Sequence, residues 1–75
     1  MERYRDIGND SGIEAYEISY DSIVVRFKRG GMYLYTYASA GATHIETMKR
    51  LALYGDGLNG YINSHVKHSY ARRSA

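Results

Sequence analysis

Seventy-five residues without a cysteine exclude disulfides, thiolate metal ligands and thiol redox chemistry. A chain this short buries only about 60% of its unfolded surface, so every core residue counts. No apolar run approaches the roughly 20 residues of a membrane-spanning helix and no secretory leader is legible, which points to a cytoplasmic protein with no membrane partner.

The net charge of +2 is unevenly spread. Up to Asp21, Glu2, Asp6, Asp10, Glu14, Glu17 and Asp21 face only Arg3 and Arg5. From Ser22 onward, Glu46 and Asp56 stand against eight Lys and Arg. A basic C-terminal half suits an anionic partner. Nine Tyr with one Phe and no Trp supply rings with polar tips, suited to a small core and to binding surfaces alike.

Residues 1–12 show no sustained period and predict a loosely docked arm ending in the turn cluster Asn9-Asp10-Ser11-Gly12. Residues 13–20 alternate, with Tyr16, Ile18 and Tyr20 on one side, and predict a strand. A turn at Asp21-Ser22 leads to the β-branched and aromatic run Ile23-Val-Val-Arg-Phe27. A second turn over residues 29–31 supplies a Gly pair, and the Tyr-rich run 33–37 follows. These turns predict the rows Tyr16/Phe27/Tyr33, Ile18/Val25/Tyr35 and Tyr20/Ile23/Tyr37 on one face, with Phe27 central and Glu17 across from Arg26.

After the small-residue linker 38–42, Thr43 and Glu46 read as a capping box opening a helix. Ile45, Met48, Leu51 and Ala52 form its apolar stripe, and Gly55 ends it. Leu58, Tyr61, Ile62, His65, Val66 and Ser69 fit a second amphipathic helix, with Asn59, Asn63, Lys67 and Tyr70 on another stripe. Residues 71–75 read as a basic tail. The predicted fold is α+β: a three-stranded antiparallel meander followed by two helices on one face, built from residues 13–70.

No Ser, His and acid share a recognisable nucleophile elbow, so no catalytic residue is assigned. His44, His65 and His68 lack the ligand set of a zinc site, and His65 reads as a core residue. Gly55-Asp-Gly57 joins helix to helix and is no phosphate cradle. The reading is therefore a non-enzymatic binding module without metal or cofactor. Arg26, Lys28 and Arg29 on the central strand and turn, with Asn63, Lys67, Tyr70, Arg72 and Arg73 on the last helix and tail, suit the backbone of RNA or DNA. The alternative is a protein-interaction module, an adaptor or inhibitor such as mobile elements carry. It would act through exposed strand edges or the reverse sheet face, where Val24, Met32 and Leu34 form an apolar patch; self-association by edge pairing belongs to the same reading.

Tyr20-Asp21, Val25-Arg-Phe27, the glycines at 30 and 31, Tyr33-Leu-Tyr35 and the closing Tyr61-Ile-Asn63-Ser-His-Val66-Lys-His-Ser-Tyr70 together resemble the KTSC domain, over residues 13–70. The chain departs from that pattern in its short connection after Tyr20-Asp21, and in Ala38-Ser-Ala-Gly-Ala42 where the family carries Val-Pro. The family occurs at the C-terminus of some lysyl-tRNA synthetases and as free-standing small proteins. The resemblance implies no catalytic residue and raises the expectation of a nucleic-acid partner.

Overall fold

The structure, a computed structural model, describes residues 1–9 and 11–74. Asp10, in the expected N-terminal turn, and Ala75, in the expected tail, lie outside the described residues. Strands β1 (Glu2–Arg3), β2 (Ile13–Ser19), β3 (Ser22–Phe27), β4 (Gly31–Thr36) and β5 (Arg72–Ser74) form one antiparallel sheet in that spatial order. Helices α1 (Tyr37–Ala40), α2 (Ala42–Tyr54) and α3 (Leu58–Tyr61) lie between β4 and β5, and α3 runs on into a π-helical stretch, Ile62–Val66.

The α+β class is as the sequence predicts, but the three-stranded meander is not. Among the described residues the sheet has five strands, because both ends of the chain return to it, and three helices stand where two were expected, α1 having formed across Tyr37 and the start of the expected linker. Two- and three-residue strands are too short to show an alternation. They form by hydrogen bonding to edges that β2 and β4 already present, so their signal lies in the partner rather than in their own residues.

Within the segment 1–12, expected as a loosely docked arm, Glu2, Arg3, Tyr4 and Ile7 bond to the rest of the fold. Glu2 pairs with Tyr16 and Arg3 with Ala15. Tyr4 is buried, its N–H donates to the Glu14 carbonyl at 3.0 Å, and its hydroxyl accepts from the Leu58 N–H at 3.3 Å. The Ile7 N–H reaches the Gly55 carbonyl at 2.7 Å.

Both hairpins are displaced by two residues from the predicted register. The first turn is Tyr20-Asp21 and the second spans residues 28–30. The observed core-face rows are Tyr16/Val25/Tyr33 and Ile18/Ile23/Tyr35. A slip of two conserves which side chains share a face, so the face assignment survives the error. The ends of the rows do not survive it. Tyr20 falls in the turn and is 88% exposed, while Tyr37 leaves the sheet to start α1. Glu17 faces Val24, and Arg26 lies between Ala15 and Met32, so the predicted Glu17–Arg26 pair is absent. A bulge between Ile13 and Ala15 lets Ile13 and Tyr16 both turn inward.

The predicted capping box at Thr43 does not form. Gly41 is the cap of α2 and offers no side chain, so Thr43 lies within the first turn. Glu46 is engaged elsewhere: its Oε2 accepts from the Tyr37 hydroxyl at 2.6 Å and from Lys49 Nζ at 2.8 Å. A reciprocal box does exist one helix earlier. Thr36 Oγ1 accepts from the Ser39 N–H and Ser39 Oγ from the Thr36 N–H, both at 3.0 Å.

The core lies between one sheet face and the helices. Ile23, Val25 and Tyr35 meet Ile45, Met48 and Ala52 of α2 and Leu58, Ile62 and Val66 beyond it, all at most 3% exposed. Phe27 packs at the rim, half-buried, rather than at the centre. His65, expected in the core, is exposed. Leu58, Ile62 and Val66 point inward at a four-residue spacing, and the π-helical stretch leaves Asn63, Ser64 and His65 exposed between the last two.

Candidate nucleic-acid interface

The β3–β4 turn, the π-helical stretch and β5 enclose a groove of about 580 Å³. Phe27, Tyr33, Tyr35, Ile62 and Tyr70 make its floor, and Lys28, Arg29, Asn63, Lys67, His68 and Arg73 stand around it. Among the described residues no Asp or Glu lines it. The sequence builds it simply. Phe27, Tyr33 and Tyr35 are on the core face by strand alternation, and Phe27, the last residue of β3, is only half-buried there. Arg73 arrives opposite Tyr33 because β5 pairs Tyr33 with Arg73.

The floor is a ring cluster centred on Tyr33. Phe27 meets it at 5.5 Å and 90°, Tyr70 at 5.0 Å and 77°, and Tyr35 at 6.4 Å in near-parallel orientation. Edge-to-face contacts of this kind hold rings in place beyond what burial alone supplies. The Arg73 guanidinium carbon lies 5.6 Å from the Tyr33 ring centre, within cation–π range. Burial, followed by the neighbouring Tyr33 and Tyr70, pushes the Tyr35 hydroxyl up to about 12, so it stays neutral at physiological pH. Lys28 forms an ion pair with Asp6 at 3.6 Å and remains 54% exposed.

Six of the eight residues singled out from the sequence line this groove: Lys28, Arg29, Asn63, Lys67, Tyr70 and Arg73. Arg26 and Arg72 do not. Arg26 faces Ala15 and Met32, and Arg72 faces Leu34, so both lie on the reverse face of the sheet. The groove also recruits Phe27, Tyr33, Tyr35, Ile62 and His68, which sequence reasoning gave to the core or the tail. Alternation already placed the three sheet rings together. What was missing was β5, without which nothing sets a cation over Tyr33.

On the reverse face Val24 and Leu34 are direct partners and Met32 is close by, all half-buried. One row there reads Glu17, Val24, Leu34, Arg72. The strand edges expected to be open on β2 and β4 are covered in part, by β1 at Ala15 and Tyr16 and by β5 from Met32 to Leu34. The new edges are short and charged, a pattern that discourages edge pairing.

His44 Nδ1 lies 2.6 Å from the Tyr61 hydroxyl, and the His65 ring lies tilted at 37° with its centre 4.4 Å from that of Tyr61. Among the described residues no three His, Cys, Asp or Glu come together as a metal site. Nor is any helix among them long and apolar enough to cross a membrane.

No family model matches this chain, and neither a curated protein nor a solved structure matches it. The likeness to the KTSC domain rests on the residues quoted from the sequence.

Proposed function

We propose that this protein is a non-enzymatic module that binds RNA or DNA by its backbone, through Lys28, Arg29, Lys67 and Arg73. The observation that supports this is the gathering of these four cations around one aromatic-floored groove that, among the described residues, no carboxylate lines. Phosphates are held by such cations with little regard to sequence, and each phosphate neutralised releases condensed counterions. Arg26 and Arg72, on the other face, add to the long-range field without touching the bound strand.

The test is affinity for a tRNA or an oligonucleotide as a function of salt. Binding should weaken steeply as salt rises, and the combined Lys67→Gln and Arg73→Gln changes should lower the logarithmic salt slope by roughly 1–2. The melting temperature should hold, because both residues are exposed. Absence of any complex at low salt and about 100 μM protein, the weak end of non-specific binding, would overturn the reading.

A second reading rests on the row Glu17, Val24, Leu34, Arg72. Opposite charges close an apolar centre, so two copies stacked face to face about a two-fold axis along the strands would bring Glu17 of one beside Arg72 of the other. Sedimentation at rising concentration tests it: a dimer that Leu34→Ser abolishes supports it, and a monomer throughout sinks it.

A further inference from the structure

We infer that the groove takes a single strand rather than a duplex, with one unpaired base laid on the Tyr33 ring and walled at its side by Tyr70. This rests on the nucleic-acid reading above and deepens it.

Cations alone would serve for a backbone on any basic surface. The groove offers more than cations, because its floor is made of rings that gain nothing from a phosphate and gain contact area from a planar base. Tyr33 and Tyr70 are both half-buried, so each still presents ring surface to the groove. Phe27 and Tyr70 stand nearly perpendicular to Tyr33 and fix its orientation. The platform is therefore set before any ligand arrives, which lowers the ordering cost of binding.

Arg73 marks where a flat group fits. Its planar guanidinium already lies over the Tyr33 ring, and it belongs to an exposed three-residue edge strand that can let the side chain swing aside. A base entering there lies on Tyr33 while the guanidinium covers it or turns to the adjoining phosphate. Asn63, exposed on the groove wall, offers a donor and an acceptor to the base edge.

The path is also longer than one nucleotide. Arg29, Gly30 and Arg73 line a second depression of about 520 Å³ with Gly31 and Ser74, so the basic surface continues around the β3–β4 turn. An extended strand can follow it. Bases within a duplex have their faces covered by their neighbours and cannot use the floor at all.

The experiment uses the full chain and a labelled strand of about eight nucleotides, within the usual footprint of a small domain. Fluorescence anisotropy compares this strand, as DNA and as RNA, with its perfect duplex and with the same strand made abasic. Poly-glutamate is added as a competitor. The expected result is that one or both single strands bind about tenfold or more tighter than the duplex, with the abasic strand weaker by roughly 5- to 100-fold. Tyr70→Leu should weaken the normal strand by a similar factor and leave the abasic one unchanged, while Tyr70→Phe keeps binding. If Tyr70→Leu lowers the melting temperature, the abasic comparison, made on the unaltered chain, decides alone. Equal affinity for strand, duplex and abasic strand would overturn the base platform and leave the backbone reading standing. No binding to any of them would remove both. Poly-glutamate competing as well as the strand would replace nucleic acid with an acidic polypeptide and overturn the inference.

Discussion

The Arg5 guanidinium donates to the Tyr54 carbonyl at 2.7 Å and reaches the Leu53 carbonyl at 3.3 Å, so a side chain from the N-terminal segment closes the C-terminus of α2. A cation at this end of a helix meets free carbonyls and the negative end of the helix dipole. The next residue, Gly55, has φ +92° and its N–H returns to the Leu51 carbonyl, a left-handed stop. A β-carbon on Gly55 would come within 2.8 Å of Arg5 Cβ.

Gly55→Ala should therefore destabilise the protein by about 1–2 kcal/mol from backbone strain alone, with the Arg5 clash added to it. Arg5→Ala should cost about 0.3–1 kcal/mol. Urea melts measure both. Amide exchange should show faster opening at Ile7, whose N–H donates to the Gly55 carbonyl, in Gly55→Ala. Unchanged exchange there would mean the N-terminal segment is held without this contact.

Thr36→Ala should cost about 0.5–2 kcal/mol, because Thr36 caps α1. Ser39→Ala should overlap with it in a double-mutant cycle, since the two residues share one reciprocal box. Thr43→Ala should be nearly silent, as Thr43 is exposed and its side chain caps nothing. A large loss at Thr43 with none at Thr36 would place the cap where the sequence pattern suggests.

Leu58→Ala should cost about 2–5 kcal/mol, as a fully buried side chain leaving a cavity. Phe27→Ala should cost less than the 3–5 kcal/mol typical of a buried aromatic, because half-burial lets solvent or neighbours fill the gap. Thermal melts of the two variants rank them directly. A larger drop for Phe27→Ala would restore it to the centre of the core.

Stability should respond to pH at both extremes. Hydrogen bonds from Lys49 and then Tyr37 hold the Glu46 carboxyl below its ordinary 4.5. Its contribution is thus present above pH 4.5 and lost as pH falls below that value. Tyr35 runs the other way. Its hydroxyl is raised from 10.0 to about 12, chiefly by burial, so its contribution is full below pH 10 and is lost as pH rises through 12. Glu46→Gln should flatten the acid limb of the stability curve and Tyr35→Phe the alkaline limb. Denaturant melts across pH check each, and an alkaline limb unmoved by Tyr35→Phe would assign that limb to other tyrosines.

Face assignment, and the element type of β2 to β4 and α2, were readable from the residues alone. Alternation in β2 to β4 marks Tyr16, Ile18, Ile23, Val25, Tyr33 and Tyr35 as one face, and that holds through a two-residue slip because the strand period is two. The apolar positions Ile45, Met48 and Ala52 and the stop at Gly55 marked α2. The Lys28, Arg29, Asn63, Lys67, Tyr70 and Arg73 set was readable as a surface by its chemistry.

Tertiary structure decided the rest. Register depends on where each turn closes, and Lys28 to Gly31 contains both the expected loop, 29–31, and the observed one, 28–30. The sheet grew to five strands because Glu2–Arg3 and Arg72–Ser74 gain their hydrogen bonds from β2 and β4, partners distant in sequence. That pairing set Arg73 opposite Tyr33 and turned Arg72, one residue away, to the other face. Local pattern can mark a residue as basic. Only the partner strand fixes which side of the sheet it serves, because neighbouring side chains on a strand point in opposite directions.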